Sequence, residues 1–366
     1  MANKASADSS GSPSASARPP RRVTLRDIAA EIGVTPMTVS RALRNQTRIS
    51  AEMRDKIQAK AAEMGYQPDP ALTALVHYRH NRMDTPIRAA LAWVNFWPEP
   101  AKLRRFREFD FYWQGAHAAA ERLGFHLEEF VFGDEMTPLR LAQILNARNI
   151  RGVLIPPGEL PERLLKEFPW SQFSVVSISR PAAGLPIHAV TSDQTTNAML
   201  AFRKMRECGY RRIGFVGEAW IGRFFCPGFL WVQQMEVPAE LRLPPFLFND
   251  VARDAALDAL QRWVDDNKPD AILTENPNLP KMLAKLRKSS VRGLGLAAMT
   301  VLDCPINAGI YQNPQEIGRV AVLMLQSLIN DNDRGIPAVS RQVLIEGAWV
   351  EGSSLPVKRV KVRQGR

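Results

Sequence analysis

The stretch VTLRDIAAEIGVTPMTVSRALRNQTRISAEMRDKIQAKAAEMGYQPDPALTAL, residues 23–75, decides how the chain begins. Thr24 can cap a first helix whose apolar positions Leu25, Ile28, Ala29 and Ile32 recur at helical spacing, and Gly33 breaks it. Thr35 followed by Pro36 is a second start signal, because a proline at the first helical position lacks only an N–H that has no partner there. Two helices joined by so tight a turn form a helix-turn-helix. The second, Pro36 to Leu43, is expected to lie in the major groove of a duplex with its N-terminal side chains toward base edges. Val39, Ala42 and Leu43 then pack inward, which turns Met37, Thr38, Ser40 and Arg41 outward.

The outward residues differ in what they can read. Thr38 and Ser40 suit phosphates, and Arg41 suits either a phosphate or, by bidentate bonding, a guanine edge. Pro36 and Met37 offer only apolar contact, for example to a thymine methyl. Thr24 and Thr35, at the two helix starts, join the expected DNA-facing set. A third helix starts at Ser50, whose side chain can cap it, and runs AEMRDKIQAKAAEM to a stop at Gly65, with Arg54 near its start as a further phosphate contact. Asp69-Pro70 repeats the cap-then-proline signal, so residues 71–76 can form one or two helical turns, too few to be stable alone.

TLRDIAAEIGVT, TVSRAL, ISAEMRDKI and GYQP resemble, in register, the head of the lactose/galactose repressor (LacI/GalR) family of bacterial transcription regulators. The resemblance implies that residues 68–85 are a hinge and linker. Its short helix orders on operator DNA and wedges a leucine into the minor groove at the dyad. Leu75 is the candidate wedge, with Ala71 and Leu72 toward a partner hinge; a linker whose leucines merely cover the next domain is the plainer reading. After Arg-Ala-Leu the family usually has Asn. Here Arg44 stands there, with Asn45 after it, and Arg44 adds a candidate phosphate contact.

The chain has 366 residues and a formal net charge of +11, enough length for a small module plus large domains and a charge that favours a polyanionic partner. Charge alone does not separate DNA from RNA or a membrane surface. Cys208, Cys226 and Cys304 form neither a disulfide framework nor a zinc spacing, which suits a reducing, cytoplasmic compartment. No apolar run approaches the roughly 20 residues of a membrane helix. Residues 1–22, rich in Ser, Ala and Pro, lack the apolar middle of a secretory signal and are expected to be a disordered tail. The basic residues that end it, Arg18, Arg21 and Arg22, suit either phosphates or plain solvation.

From residue 86 apolar runs alternate with amphipathic stretches: AALAWV then WQGAHAAAERLGF, HLEEFVF then LRLAQILNARN, GVLIP then PERLLKEF, FSVVSI then TTNAMLAFRKMRECGY. RIGFVG, PPFLF, DAILT, GLGLAAM, AGIY and RQVLIEGAW continue the rhythm. This is the βαβ pattern of parallel sheets covered on both faces, with too many units for one sheet. The expected architecture is an all-α helix-turn-helix head (residues 23–67) followed by an α/β core of two doubly wound lobes (86–355) and a basic tail (356–366).

AAAERLGF, ILNARNIRGVLIPP, CGYRRIGFVG and PDAIL resemble, more weakly, the effector-binding core of the same family, which is shared with periplasmic sugar-binding proteins. What the resemblance implies is a small molecule, a sugar or related metabolite, held between the lobes by residues just past the carboxyl ends of strands. Carried over, those positions are Asn95, Trp97, Phe111, Tyr112, Asp193, Trp220, Arg223, Asn276 and Gln312. Two acidic acceptors usual in the family are missing, since Asn276-Pro277 and Ala297-Ala298-Met299 stand at their places.

An enzyme would need a catalytic constellation, and none is legible. Gly293-Leu294-Gly295 lacks the third glycine of a dinucleotide loop; His117, His126 and His188 have no ligand-spaced partner; Cys208 has no nearby histidine. No metal or cofactor is therefore expected. The VKRVKVRQGR terminus lacks leucine heptads, so a homodimer on a near-palindromic double-stranded operator is expected rather than a tetramer. Against a DNA-binding repressor stand two competing classes, a solute-binding protein of the periplasmic kind without a gene-regulatory role and an enzyme on the same sheet scaffold.

Overall fold

The computed structural model describes residues 23–43, 49–64, 66, 89–179, 185–248 and 253–358. The tail 1–22, Arg44, the hinge 68–85 with Leu75, and the chain beyond 358 lie outside these residues. The chain divides into two compact units, one within residues 1–79 and one within 80–366.

The first unit holds α1 (Leu25–Ile32), α2 (Pro36–Leu43) and α3 (Ala51–Glu63). Thr24 caps α1 in a reciprocal box: the Asp27 N–H donates to its hydroxyl at 3.4 Å, and its own N–H donates to the Asp27 carboxylate at 2.7 Å. Gly33 ends α1 at φ 77°, a left-handed turn that glycine adopts without strain. Ile28, Ala29, Val39, Ala42, Ile57 and Ala61 form the buried centre where the three helices meet. The Gln58 amide donates to the Ala42 carbonyl at 3.1 Å and ties α3 to the last turn of α2.

The second unit is built on two sheets, each six-stranded among the described residues. One contains β1 (Ala89–Asn95), β2 (Phe125–Val131), β3 (Gly152–Ile155), β4 (Ser174–Ile178), β5 (His188–Ser192) and β11 (Gln342–Ile345) in the order β11-β5-β4-β3-β1-β2, all parallel. The other contains β6 (Ile213–Glu218), β7 (Phe246–Phe248), β8 (Ala271–Thr274), β9 (Gly295–Ala298), β10 (Gly309–Tyr311) and β12 (Ala348–Val350) in the order β12-β10-β9-β8-β6-β7. Only β12 runs antiparallel, beside β10. Along β1, Leu91 and Trp93 face one side and Ala92 and Val94 the other, and both sides are buried. Burial on two faces is why these strands read as continuous apolar runs.

In chain order the described helices of this unit are α4 (Pro100–Leu103), α5 (Arg107–Arg122), α6 (Pro138–Ala147), α7 (Glu162–Glu167), α8 (Gln194–Glu207), α9 (Ala219–Glu236), α10 (Arg253–Asn267), α11 (Leu279–Leu283), α12 (Lys288–Val291) and α13 (Pro314–Asp331). On the first sheet α5 and α13 pack together through two glycines. A Cβ on Gly115 would lie 1.9 Å from the Gln315 carbonyl oxygen, and one on Gly318 would lie 2.0 Å from that of Tyr112. Gly228 on α9 does the same against α8, at 2.1 Å from the Thr195 oxygen.

The chain passes between the lobes three times: from β5 to α8, from β10 to α13, and from β11 to β12. Side-chain amides join these passages. The Asn197 amide donates to the Ser192 hydroxyl at 2.8 Å and its oxygen accepts the Gly347 N–H at 2.7 Å; the Asn313 amide donates to the Glu346 carbonyl at 2.8 Å. The single run RQVLIEGAW thus supplies a strand to each sheet, turning at Gly347, where a side chain would meet Ile310 at 2.6 Å.

Candidate nucleic-acid interface and ligand cleft

On the head, α2 presents its N-terminal turn to solvent. Thr35 and Pro36 are exposed, Met37 is 57% exposed, and Thr38, Ser40 and Arg41 are half-buried at the edge of that face. The Thr38 N–H donates to the Thr35 hydroxyl at 3.1 Å, and the two hydroxyls share a hydrogen bond at 2.9 Å. Thr35 therefore caps α2. Thr24 is likewise committed to its capping box, and Arg54 is half-buried in the first turn of α3.

In the second unit a cavity of about 690 Å³ opens between the two sheets. Both sheets share one strand order, in which the connections reverse direction between β1 and β3 and between β6 and β8. Such reversals leave a crevice at the carboxyl ends of the strands. The cavity wall follows it: Trp97 lies just past β1, Pro157 and Gly158 past β3, Trp220 past β6 and Glu275 past β8. The passages between the lobes add Thr191, Ser192, Gln194 and Gln312.

Of the residues expected at a ligand, Trp97, Tyr112, Trp220, Arg223 and Gln312 line this cavity. The structure places the other expected residues elsewhere, each for a visible reason. The Asn95 amide is buried, donating to the Pro100 carbonyl and to Glu129 and accepting from the Trp97 N–H. Phe111 lies under the Arg107 guanidinium, 5.7 Å from it. Asp193 caps α8 through the Thr196 N–H at 3.0 Å, and Asn276 bonds Glu218 at 2.6 Å and accepts from the Asn278 N–H. Each of these polar groups already has structural partners.

The wall also holds residues that sequence reasoning missed, chiefly Glu108, Phe109, Thr300 and Glu275. Glu108, in the first turn of α5, accepts from the Tyr112 hydroxyl at 2.9 Å and from the Thr300 hydroxyl at 3.3 Å, so it joins the two lobes across the cleft. Beside it the Asp303 carboxylate accepts the Arg107 N–H at 2.5 Å, a favourable charge at a helix N-terminus. Trp97, Phe106 and Phe109 meet edge-on or tilted with centroids 5.6–5.8 Å apart, and Phe109 stacks on Tyr112 at 6.0 Å.

Burial pushes the Glu108 carboxyl above its ordinary value, although the Tyr112 and Thr300 hydroxyls pull it back. Tyr112 is raised well above its own, by burial first and then by Glu108. Glu275 carries the clearest shift: burial lifts it from 4.5 to about 7, against its own and the Glu218 backbone N–H and with the Glu218 charge. Its Oε1 accepts the Glu218 N–H at 2.6 Å.

A stability consequence follows from that shift. In the unfolded chain Glu275 ionises near pH 4.5, whereas in the folded chain it holds its proton to about pH 7. Its contribution is therefore complete below the unfolded value and is lost as pH rises through that window, amounting to about 3 kcal/mol. Glu275→Gln keeps the acceptor for Glu218 and removes the titration. The difference in unfolding free energy, variant minus unmodified chain, should grow by about 3 kcal/mol between pH 4 and pH 8 in denaturant melts. A pH-independent difference would place the titration elsewhere.

The remaining candidates for chemistry have structural explanations. His188 is buried, accepts the Arg341 N–H at 3.0 Å and is lowered by burial and then by the Arg341 charge. Burial raises all three thiols, Cys226 to about 11, which makes them poor nucleophiles. Gly295 is small because the Tyr210 ring lies 2.6 Å from where its Cβ would be. No group of three or more His, Cys, Asp or Glu side chains among the described residues is placed to hold a metal ion, and no described helix is long and apolar enough to cross a membrane.

Comparison with known proteins places this geometry. Residues 24–69 match the profile described as "Bacterial regulatory proteins, lacI family". The chain is 49% identical over 51 residues to the HTH-type transcriptional regulator GntR of Escherichia coli (strain K12), 14% of this chain and 15% of that one. It is 21% identical over 202 residues to the HTH-type transcriptional regulator GalS of Salmonella typhimurium, 54% of each chain. It thus spans between a seventh and about half the length of these curated relatives. Among solved structures, a transcriptional regulator CelR–cellobiose complex superimposes with a TM-score of 0.51 at 19% identity, covering 90% of this chain and 99% of that one. The LacI family regulator CCPA from Weissella paramesenteroides with bound glucose gives 0.52 at 15% identity, covering 74% and 100%. The head matches a LacI-family helix-turn-helix domain, and the two-sheet core shares the fold of these two solved structures.

Proposed function

We propose that this protein is a sequence-specific DNA-binding transcription repressor, active in the cytoplasm as a homodimer, whose operator affinity is set by a small molecule held in the cleft of its core. The observation that carries the reading is the head: its second helix exposes Pro36 and Met37 with Arg41 at the edge, within a segment matched from end to end by a family of bacterial regulators. On this reading residues 23–67 read the groove, 68–85 form the hinge with Leu75 as its wedge, and 86–355 bind ligand and the second copy. A pair is needed because one short helix contacts too few bases, whereas two spaced by one helical turn, roughly 34 Å, read a near-palindrome.

The cleft can influence the head only through differential affinity. A ligand that binds one lobe arrangement better than another shifts the population, and no ligand does more than that difference allows. The passages held by Asn197 and Asn313 are where such a movement would pivot, and the Glu108–Thr300 bond across the cleft is what it would make or break. The cellobiose and glucose held by the two structural neighbours support a small organic molecule at this place.

The test is a mobility shift of the full chain on the promoter region beside its own gene at two salt concentrations, with nonspecific competitor DNA. A competitor-resistant band that survives higher salt is expected, above a nonspecific one that does not. Arg41→Ala should weaken the specific band by about 1–3 kcal/mol and relax preference at one base position, if Arg41 reads a guanine edge. Equal weakening on every sequence would assign it to a phosphate. No competitor-resistant band on any fragment would remove the repressor reading.

A further inference from the structure

We propose that the cleft is shaped for an organic ammonium ion, a cation carried on an apolar body, rather than for a neutral sugar. The inference rests on the reading of the cleft as the effector site and narrows the class of molecule that fills it.

The first observation is which hydrogen-bonding capacity the walls leave over. Gln194 is 9% exposed and gives its amide donor to the Thr191 hydroxyl at 3.1 Å, while its Oε1 is buried without a partner. Gln312 gives one amide N–H to the Met299 carbonyl at 2.8 Å, and its carbonyl oxygen is a further acceptor. Oε2 of Glu275 is buried without a partner as well. Gln194 Oε1 and Glu275 Oε2 are therefore wall acceptors that lack a donor. An ammonium group brings donors and no acceptor, while each sugar hydroxyl brings an acceptor with its donor.

The second observation is the company these acceptors keep. The rings of Trp97, Phe109, Tyr112, Trp220, Phe224 and Phe225 line the same cavity. Ring faces attract a cation within about 6 Å and also accept an apolar body. The third is charge. Glu108, Glu159 and Glu275 stand on the wall against one guanidinium, Arg223, which is exposed and already lies 4.7 Å from the Phe224 ring. Glu159 is exposed, but ionising the more buried Glu108 and Glu275 is costly, and a ligand cation beside them would offset that cost.

Pairs of ligands matched in shape and unlike in charge test this. Binding of phenethylammonium and 2-phenylethanol, and of choline and 3,3-dimethylbutan-1-ol, is measured on the full chain by calorimetry, with glucose and cellobiose as neutral sugars. At least one ammonium ion is expected to bind about tenfold or more tightly than its neutral partner and to change affinity for the operator fragment. Glu275→Gln and, separately, Glu108→Gln should each reduce that preference; if one of them fails to fold, the other decides. Equal binding of charged and neutral partners, or no ammonium binding at millimolar concentration, overturns the proposal. If glucose or cellobiose saturates the chain and shifts operator affinity while the ammonium ions do not, the ligand class is wrong and the effector cleft stands. If ammonium binds but neither carboxylate substitution alters it, the cations sit elsewhere, and the cleft loses its support as the effector site as well.

Discussion

A Val39→Asp chain is expected to lose operator binding by a hundredfold or more while its core melts at an unchanged temperature. Val39 has no exposed surface and sits at the middle of the small cluster with Ile28, Ala29, Ala42, Ile57 and Ala61. A carboxylate there has no cation within the cluster to meet it, and its burial costs several kcal/mol. A three-helix unit this small buries too little apolar surface to absorb such a loss. Because the head and the core are separate compact units, the damage should stay in the head. Mobility shift and differential scanning calorimetry on one preparation check both halves of the expectation. A retained competitor-resistant band would mean that the three helices do not meet at Val39.

Gly318→Val should have the opposite distribution, destabilising the core by about 3 kcal/mol or more and leaving the head folded. Its Cβ would stand 2.0 Å from the Tyr112 carbonyl oxygen and 2.9 Å from the Ala116 nitrogen, both backbone atoms of a helix that cannot move independently. Nor can α13 retreat, since Ile317, Ala321 and Leu325 are packed into the first sheet's core. The melting temperature of the core should fall by roughly 6–12 °C. Gly133→Ala, where nothing lies within 4 Å of the added carbon, is the control and should be near neutral. Ligand binding should weaken along with stability in the Gly318 variant, because Tyr112 lies on the cavity wall and its backbone would be displaced. A Gly318→Val core that melts with the unmodified chain would mean that α5 and α13 are less tightly seated than their spacing implies.

The head was largely legible in the sequence because its determinants are local: a cap, a proline, a left-handed glycine and an apolar stripe each act within a few residues. The strands of the core were legible for a related reason, since burial on both faces leaves a run of apolar letters. β5 was not among them. Its residues His188, Thr191 and Ser192 are polar and yet buried; Gln194 and Asn197 partner the last two from close by, but Arg341, the partner of His188, lies 153 residues away in sequence. RQVLIEGAW reads as one strand for the same reason, because nothing local reveals that its two halves belong to different sheets.

At the cleft the sequence led to the right strand ends and in places to the wrong letter. Past β8 the expected residue was Asn276, whereas Glu275, its neighbour, reaches the cavity and Asn276 turns to Glu218. At the end of β1 both Asn95 and Trp97 were expected, and Asn95 is held by Glu129 and Pro100 while Trp97 lines the wall. Side chains leaving a strand alternate in direction, so past β8 a shift of one position exchanges a wall residue for a structural one. Glu108 gave no sign of its place, because a glutamate in the first turn of a helix is what a solvated helix start also looks like. A carboxylate directly after a fully buried strand was the signal that could have found Glu275.

The threefold passage between lobes also dictates an order of events at the ribosome. α13 and β11 complete the first sheet, yet they are synthesised only after the whole of residues 193–313. Until then Leu91, Trp93, Val176 and Val190 have no Ile317, Val322 or Leu325 to cover them. At ordinary elongation rates that interval is on the order of ten seconds. The earlier-made half of the core must therefore wait, sticky and unfinished, for the later-made half, and a nascent chain of this topology is a natural client for a holding chaperone.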